Sequence, residues 1–213
     1  MTGVQTCALP IFPASAKAFL KKASDDTQPP AGRFKCRIFG NEWDAFVEKW
    51  ASISFDFVGN ALGPYGMQPL PEILPLHDGQ HAAGATASFD PSSGQVRLSS
   101  SVHGKPGQTL EKITHELTHA SLALFPEGDP FYEEGVVDFM TWTLAHAPVW
   151  GEHRNSMIEA AAFNIKMRRE RALHGGSDWD KKRWAGGLFA SLAYGPLIVS
   201  RLRQKKTERD FTW

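Results

Sequence analysis

Residues 104–124 read GKPGQTLEKITHELTHASLAL, and at this point the chain's pattern turns from strands to helices. Leu110, Ile113, Leu117 and Leu124 recur at helical spacing and give the stretch one apolar face. His115 and His119 stand four residues apart within it, about 40° from each other around the axis by the 3.6-residue period. Two imidazoles on one helical face can bind one metal ion. Glu116, next to the first of them, is positioned to take a proton from a water on that metal. Imidazole and carboxylate donors suit a single zinc ion.

Downstream, Pro126, Gly128 and Pro130 break the helix and imply a reversal. Glu133-Glu134-Gly135-Val136-Val137-Asp138 opens the next helix, which can run back past the first and offer a carboxylate to the same metal. Glu134 and Asp138 are themselves four apart and share a face. On this reading Glu134 is the third ligand, and Asp138 accepts a hydrogen bond from a ligand imidazole, that of His115, fixing its tautomer. Glu133 is the rival ligand, but one turn after it stands Val137, which can hold no imidazole.

The rest of the chain reads outward from there. Arg33–Phe39 alternates with period two, as a half-buried strand does. Asn41 is placed to cap a helix whose apolar positions are Trp43, Phe46, Val47, Trp50, Ile53 and Phe57, stopped by Gly63, Pro64 and Gly66. Residues 72–76 read as a short strand, placed at a sheet edge by Pro75. Gly84–Phe89 and Gln95–Ser99 read as a hairpin around Asp90-Pro91-Ser92-Ser93-Gly94. Helices are expected over Thr109–Leu124, Phe131–His146, Arg154–Leu173 and Asp178–Lys205, the last interrupted near Gly195-Pro196. Strands first and helices second argue for an α+β fold. The expected division is one domain over 33–213, with an α/β part over 33–125 carrying the metal helix and a helical part over 126–213.

Residues 1–11, MTGVQTCALPI, resemble a translated sequencing adapter and are set aside, with 12–32 as a linker or frayed lead-in. Without Cys7, Cys36 has no disulfide partner, and the compartment stays open. It is extracytoplasmic if a signal peptide preceded this segment and cytoplasmic otherwise.

Composition excludes several classes. The 213 residues carry 23 Lys+Arg against 23 Asp+Glu, with 42% hydrophobic and 11% aromatic content, too apolar and too neutral for whole-chain disorder. The longest apolar stretch, Leu188–Val199, is about half a membrane span and contains Gly195 and Pro196. Charge is uneven. Residues 1–153 hold 10 basic and 17 acidic groups and residues 154–213 hold 13 and 6, the basic ones including Arg168-Arg169 and Lys181-Lys182-Arg183. Solvated helix faces and attraction between the two parts explain this better than a nucleic-acid partner. Trp43, Trp50 and Trp142 lie at core spacing, against a carbohydrate platform.

His115, Glu116 and His119, followed by Glu134 with Gly135 after it and Asp138 one turn on, resemble the gluzincin metallopeptidases, including the small forms called minigluzincins. The specific resemblance covers residues 114–139. It implies a zincin-like fold, with a small mixed sheet whose edge strand lies over the active-site helix. It also implies one zinc ion, a peptide or protein substrate, and peptide hydrolysis by metal-activated water, endopeptidase-like in character. In such families the edge strand binds the substrate backbone by strand addition, which would assign Gly84, Ala85, Thr86 and Ala87 that part. The Gly-x-Met-Glu-Asn motif of aminopeptidase-like members is replaced by Gly84-Ala85-Thr86-Ala87-Ser88. Tyr194, followed by Gly195 and Leu197-Ile198-Val199, matches the family's oxyanion-stabilising tyrosine, with His146, His153 and His174 as substitutes. Two alternatives stand beside this reading: a catalytically inactive zincin-like scaffold that binds peptide or protein, and a zinc hydrolase of a non-peptide amide.

Overall fold

The computed structural model describes residues 33–62, 69–77, 85–122 and 129–193. Its elements run β1 (Lys35–Cys36), α1 (Glu42–Leu62), β2 (Glu72–Pro75), β3 (Ala87–Asp90), β4 (Gln95–Leu98), a 3-10 turn (Ser100–Val102), α2 (Pro106–Leu122), α3 (Pro130–Ala145), a second 3-10 segment (Pro148–His153), α4 (Arg154–Leu173) and α5 (Asp178–Ala193). The molecule is α+β, with a small mixed sheet followed by a mostly helical carboxy-terminal part.

The sheet order is β1-β2-β4-β3. β2 pairs parallel with both β1 and β4, and β3 closes antiparallel onto β4 with Ala87 opposite Leu98 and Asp90 opposite Gln95. The β3–β4 hairpin turns as its composition demands. Asp90 accepts hydrogen bonds from Ser92 N at 2.9 Å, Ser92 Oγ at 2.6 Å and Ser93 Oγ at 2.7 Å, and Gly94 takes φ +75°, which a side chain would resist.

Two strand expectations are corrected. The strand expected over Arg33–Phe39 is only two residues long. The Asp44 carboxylate accepts from the backbone N–H groups of Ile38, Phe39 and Gly40 at 2.8–3.0 Å, so these donors turn the chain into α1 instead of extending a ladder. The strand carrying Pro75 is interior, not an edge. β1 pairs only with Glu72 and Ile73, so on that side nothing faces Pro75 that would need its missing N–H, while Leu76 N donates to Leu98 O on the β4 side.

The helices follow their signals closely. Asn41 Oδ1 accepts from Trp43 N at 2.8 Å and caps α1. Asp129 Oδ1 accepts from Phe131 N at 3.0 Å ahead of Pro130, which starts α3. Ser177 and Asp180 form a reciprocal capping pair at the start of α5. α4 occupies the expected span. α5 is described to Ala193; the rest of the expected fourth helix, the break at Gly195-Pro196, the stops at Gly63, Pro64 and Gly66, the reversal at Pro126 and Gly128, and residues 1–32 lie outside the described residues.

α2 lies at the centre. Ile113 and Leu117 pack into a core with Phe34, Val47, Phe55, Ile73, Val96 and Leu98 from the sheet and α1. Leu110 joins a second core built on Trp50, Trp150 and Met157, where Trp150 is fully buried and donates Nε1–H to Leu144 O at 2.7 Å. Trp43 and Trp142 are half-buried, in keeping with a core role. β3, the antiparallel edge strand, packs against α2. The face of α2 left over carries Glu111, His115 and His119 at successive i, i+4 positions, and it turns toward α3 and α4.

Candidate metal centre

α3 crosses the polar face of α2 and brings Glu134 to both histidines. His115 Nε2 lies 3.5 Å from Glu134 Oε2, and His119 Nε2 lies 3.2 Å from Glu134 Oε1. The two imidazole rings are 4.9 Å apart, nearly edge to face. One donor atom from each of His115, His119 and Glu134 falls within 4.8 Å of the others, so one ion could be held among them. His115 is buried, and Glu134 keeps 32% of its side chain open, which leaves the cluster reachable from solvent.

Glu133, the rival ligand, has another place. Its Oε1 accepts from His119 Nδ1 at 3.1 Å, which fixes that ring's tautomer and leaves Nε2 directed at Glu134. Asp138 Oδ1 lies 3.5 Å from His115 Nδ1, but no hydrogen bond joins them, and that buried nitrogen has no other partner. Both Asp138 oxygens accept instead from Arg183, Nε to Oδ2 at 2.6 Å and Nη2 to Oδ1 at 2.9 Å. Arg183 Nη2 also lies 2.9 Å from Glu134 Oε2. Arg168 Nε stands 3.7 Å from Asp138 Oδ2.

One turn before His115, the buried Glu111 accepts from Asn164 Nδ2 of α4 at 3.0 Å and pairs with Lys112 at 3.0 Å. Each residue of the polar stripe of α2 thus faces a charged or polar side chain of a neighbouring helix, with His115 Nδ1 alone among their side-chain nitrogens left without a hydrogen bond.

The electrostatics follow from this crowding. Burial resists ionisation of Glu134, but hydrogen bonds from both histidines hold its carboxyl far below the usual range. Burial likewise opposes charging His119, yet its bonds to Glu133 and Glu134 outweigh that and push it up to about 10. Burial raises the Glu116 carboxyl, partly offset by His115 and His119, which is the direction a general base or acid near neutral pH requires.

Of the other expected site residues, Tyr194 and Gly84 lie outside the described residues. Ala85 is exposed, Thr86 O accepts from Ser99 N at 2.9 Å, and Ala87 begins β3. His146 Nδ1 contacts Trp142 O at 2.8 Å, His153 lies edge-on to Phe46 and Trp50, and His174 pairs with Glu170. None of the three joins the cluster. A cavity of about 210 Å³ between α3, α4 and α5 is lined by Asp138, Phe139, Trp142, Arg168, Arg183 and Trp184, and neither Glu134 nor the two imidazoles line it.

Sequence reasoning missed Arg183, Arg168 and Glu111. Arg183 stands in the Lys181-Lys182-Arg183 run that reads as a solvated face, yet it is buried while its two lysine neighbours are exposed. The available signal was Gly186-Gly187 one turn on, which marks a helix that can approach another closely. Attraction between the acidic and basic parts does operate, at Arg183 with Glu134 and Asp138 and at Lys182 with Asp129 at 2.6 Å.

Comparison with protein-family models, with curated proteins and with solved structures finds no match for this chain. Among the described residues no helix is long and apolar enough to cross a membrane.

Proposed function

We propose that the protein is a zinc-dependent hydrolase of peptide bonds, endopeptidase-like, built on a zincin-like catalytic domain. The convergence of His115 Nε2, His119 Nε2 and the Glu134 carboxylate on one point carries this reading. The donor set fits the metal: two imidazoles and one carboxylate are a common catalytic zinc set that leaves a coordination position open. The bond from His119 Nδ1 to Glu133 keeps Nε2 available as the donor.

Zinc, when bound there, polarises a carbonyl and lowers the pKa of a water toward about 7. The chain's own residues do the rest. Glu116, buried beside the ligands with its proton affinity raised, accepts the proton of the attacking water and passes it to the departing amine nitrogen. Glu133 orients His119, and Asp138 with Arg183 backs Glu134. β3, at the sheet edge against α2, offers backbone N–H and C=O groups along which an extended peptide can lie by strand addition, with Ala85, Thr86 and Ala87 at its start. Tyr194 is the proposed oxyanion partner on the family resemblance alone.

The test is hydrolysis of a mixed peptide library by wild-type protein and by Glu116→Gln. Cleavage in the wild type, falling at least ~10²-fold in the variant, supports the peptidase. Zinc-loaded wild-type protein that cleaves no peptide would point to the inactive scaffold or to a non-peptide amide.

A further inference from the structure

We propose that Arg183 is a positioning residue for the metal ligand Glu134, delivered to it by a glycine-to-glycine contact between α3 and α5; this rests on the zinc reading above. Arg183 engages both carboxylates of the Glu134–Asp138 face at hydrogen-bond distance, where His115 lies 3.5 Å from each. Its Nε and Nη2 hold Asp138 at 2.6 and 2.9 Å, and Nη2 reaches Glu134 Oε2 at 2.9 Å. Engagement of Oε2 leaves Oε1 turned toward His119 Nε2, at 3.2 Å. Glu134 is thereby held to present one oxygen from a fixed rotamer, and the planar guanidinium suits this because its donors diverge in one plane.

The delivery is equally specific. A Cβ on Gly135 would meet the Arg183 carbonyl oxygen at 1.7 Å, and one on Gly186 would meet the Tyr132 carbonyl oxygen at 2.0 Å. The two helix backbones touch at Gly135, directly after Glu134, and at Tyr132, against the one turn of α5 that carries Arg183. Trp179 lies beneath, with both the Arg183 and the Arg168 guanidinium 5.5 Å from its ring centre. Asp138 accordingly acts on the ligands through Arg183: it anchors the guanidinium, which in turn anchors Glu134.

The experiment measures zinc affinity by competition with a chromophoric chelator, alongside thermal melts, for wild type, Arg183→Met, Arg183→Lys and Lys182→Met. Lys182→Met removes the other α3–α5 ion pair, to Asp129, without touching either carboxylate. The expected result is a zinc affinity ~10–100-fold weaker in Arg183→Met, only partly restored in Arg183→Lys because an ammonium cannot span both carboxylates, and unchanged in Lys182→Met. If Arg183→Met does not fold, Arg183→Lys carries the comparison. Wild-type affinity retained in a folded Arg183 variant, or an equal loss in Lys182→Met, overturns the positioning role while leaving the zinc site standing. A folded wild type that binds no zinc overturns the zinc reading and this assignment with it.

Discussion

Replacing Gly135 with alanine isolates the contact on which the rear of the site depends. In an unconstrained helix the change would stabilise by about 1 kcal/mol, because alanine has the better helix propensity. Here the new Cβ would stand 1.7 Å from Arg183 O, 2.7 Å from Arg183 C and 2.8 Å from Gly187 N. All three are backbone atoms, so no change of rotamer relieves the clash, and α5 must withdraw by more than an ångström. Overpacking of that kind costs ~1–3 kcal/mol. The withdrawal also stretches the 2.9 Å bond from Arg183 to Glu134 past hydrogen-bond range, and loss of a hydrogen bond to a charged group adds ~1–3 kcal/mol. Set against the helix gain, the net loss is roughly 1–5 kcal/mol, with Tm falling ~2–4 °C for each kcal/mol in a chain of this size. Melts followed by far-UV circular dichroism read this directly. An unchanged or raised Tm would show that helix propensity outweighs the clash, and would refute the close α3–α5 approach.

Other consequences follow from the charge pattern. In metal-free protein His119 is raised to about 10 from an ordinary 6.5, so between those values the folded state holds a proton that the unfolded chain does not. Its stabilising contribution is complete below about pH 6.5 and fades as pH rises through 10; urea midpoints in EDTA should decline across that window more in wild type than in His119→Gln, and a climbing difference would contradict the assignment. Zinc binding at pH 7.5 should expel that proton, seen as a dependence of the binding heat on buffer ionisation enthalpy. Burial, with Asp44 accepting from its Sγ, pushes the Cys36 thiol up to about 12. Cys36 should therefore resist iodoacetamide at pH 8 until the protein is denatured, and rapid labelling of the native Cys36 peptide by mass spectrometry would count against that burial.

Much of the fold was legible because its determinants are local. Asn41 and Asp129 cap their helices through bonds two residues away, the Asp90–Gly94 turn closes on its own side chains, and α4 keeps the span its pattern implies. The failures came where a partner in space decided the outcome. β1 stops early because Asp44 captures three backbone donors. Pro75 sits in an interior strand because β1 is too short to need its N–H. Spacing along two helices was enough to bring His115, His119 and Glu134 together as candidates. It could not reveal that Glu133 orients His119, since any glutamate at the start of that helix reads alike. Nor could it reveal Arg183, which meets Asp138 from 45 residues away through a helix whose charge pattern looks solvated.

The most direct test of the central claim is metal content and affinity on purified, folded protein, by mass spectrometry under native conditions and by competition. The account predicts one zinc per chain in wild type and in Glu116→Gln, with loss of tight binding in His115→Ala, His119→Ala and Glu134→Ala. Folded wild-type protein that takes up no zinc, or zinc held equally well without Glu134, would contradict it.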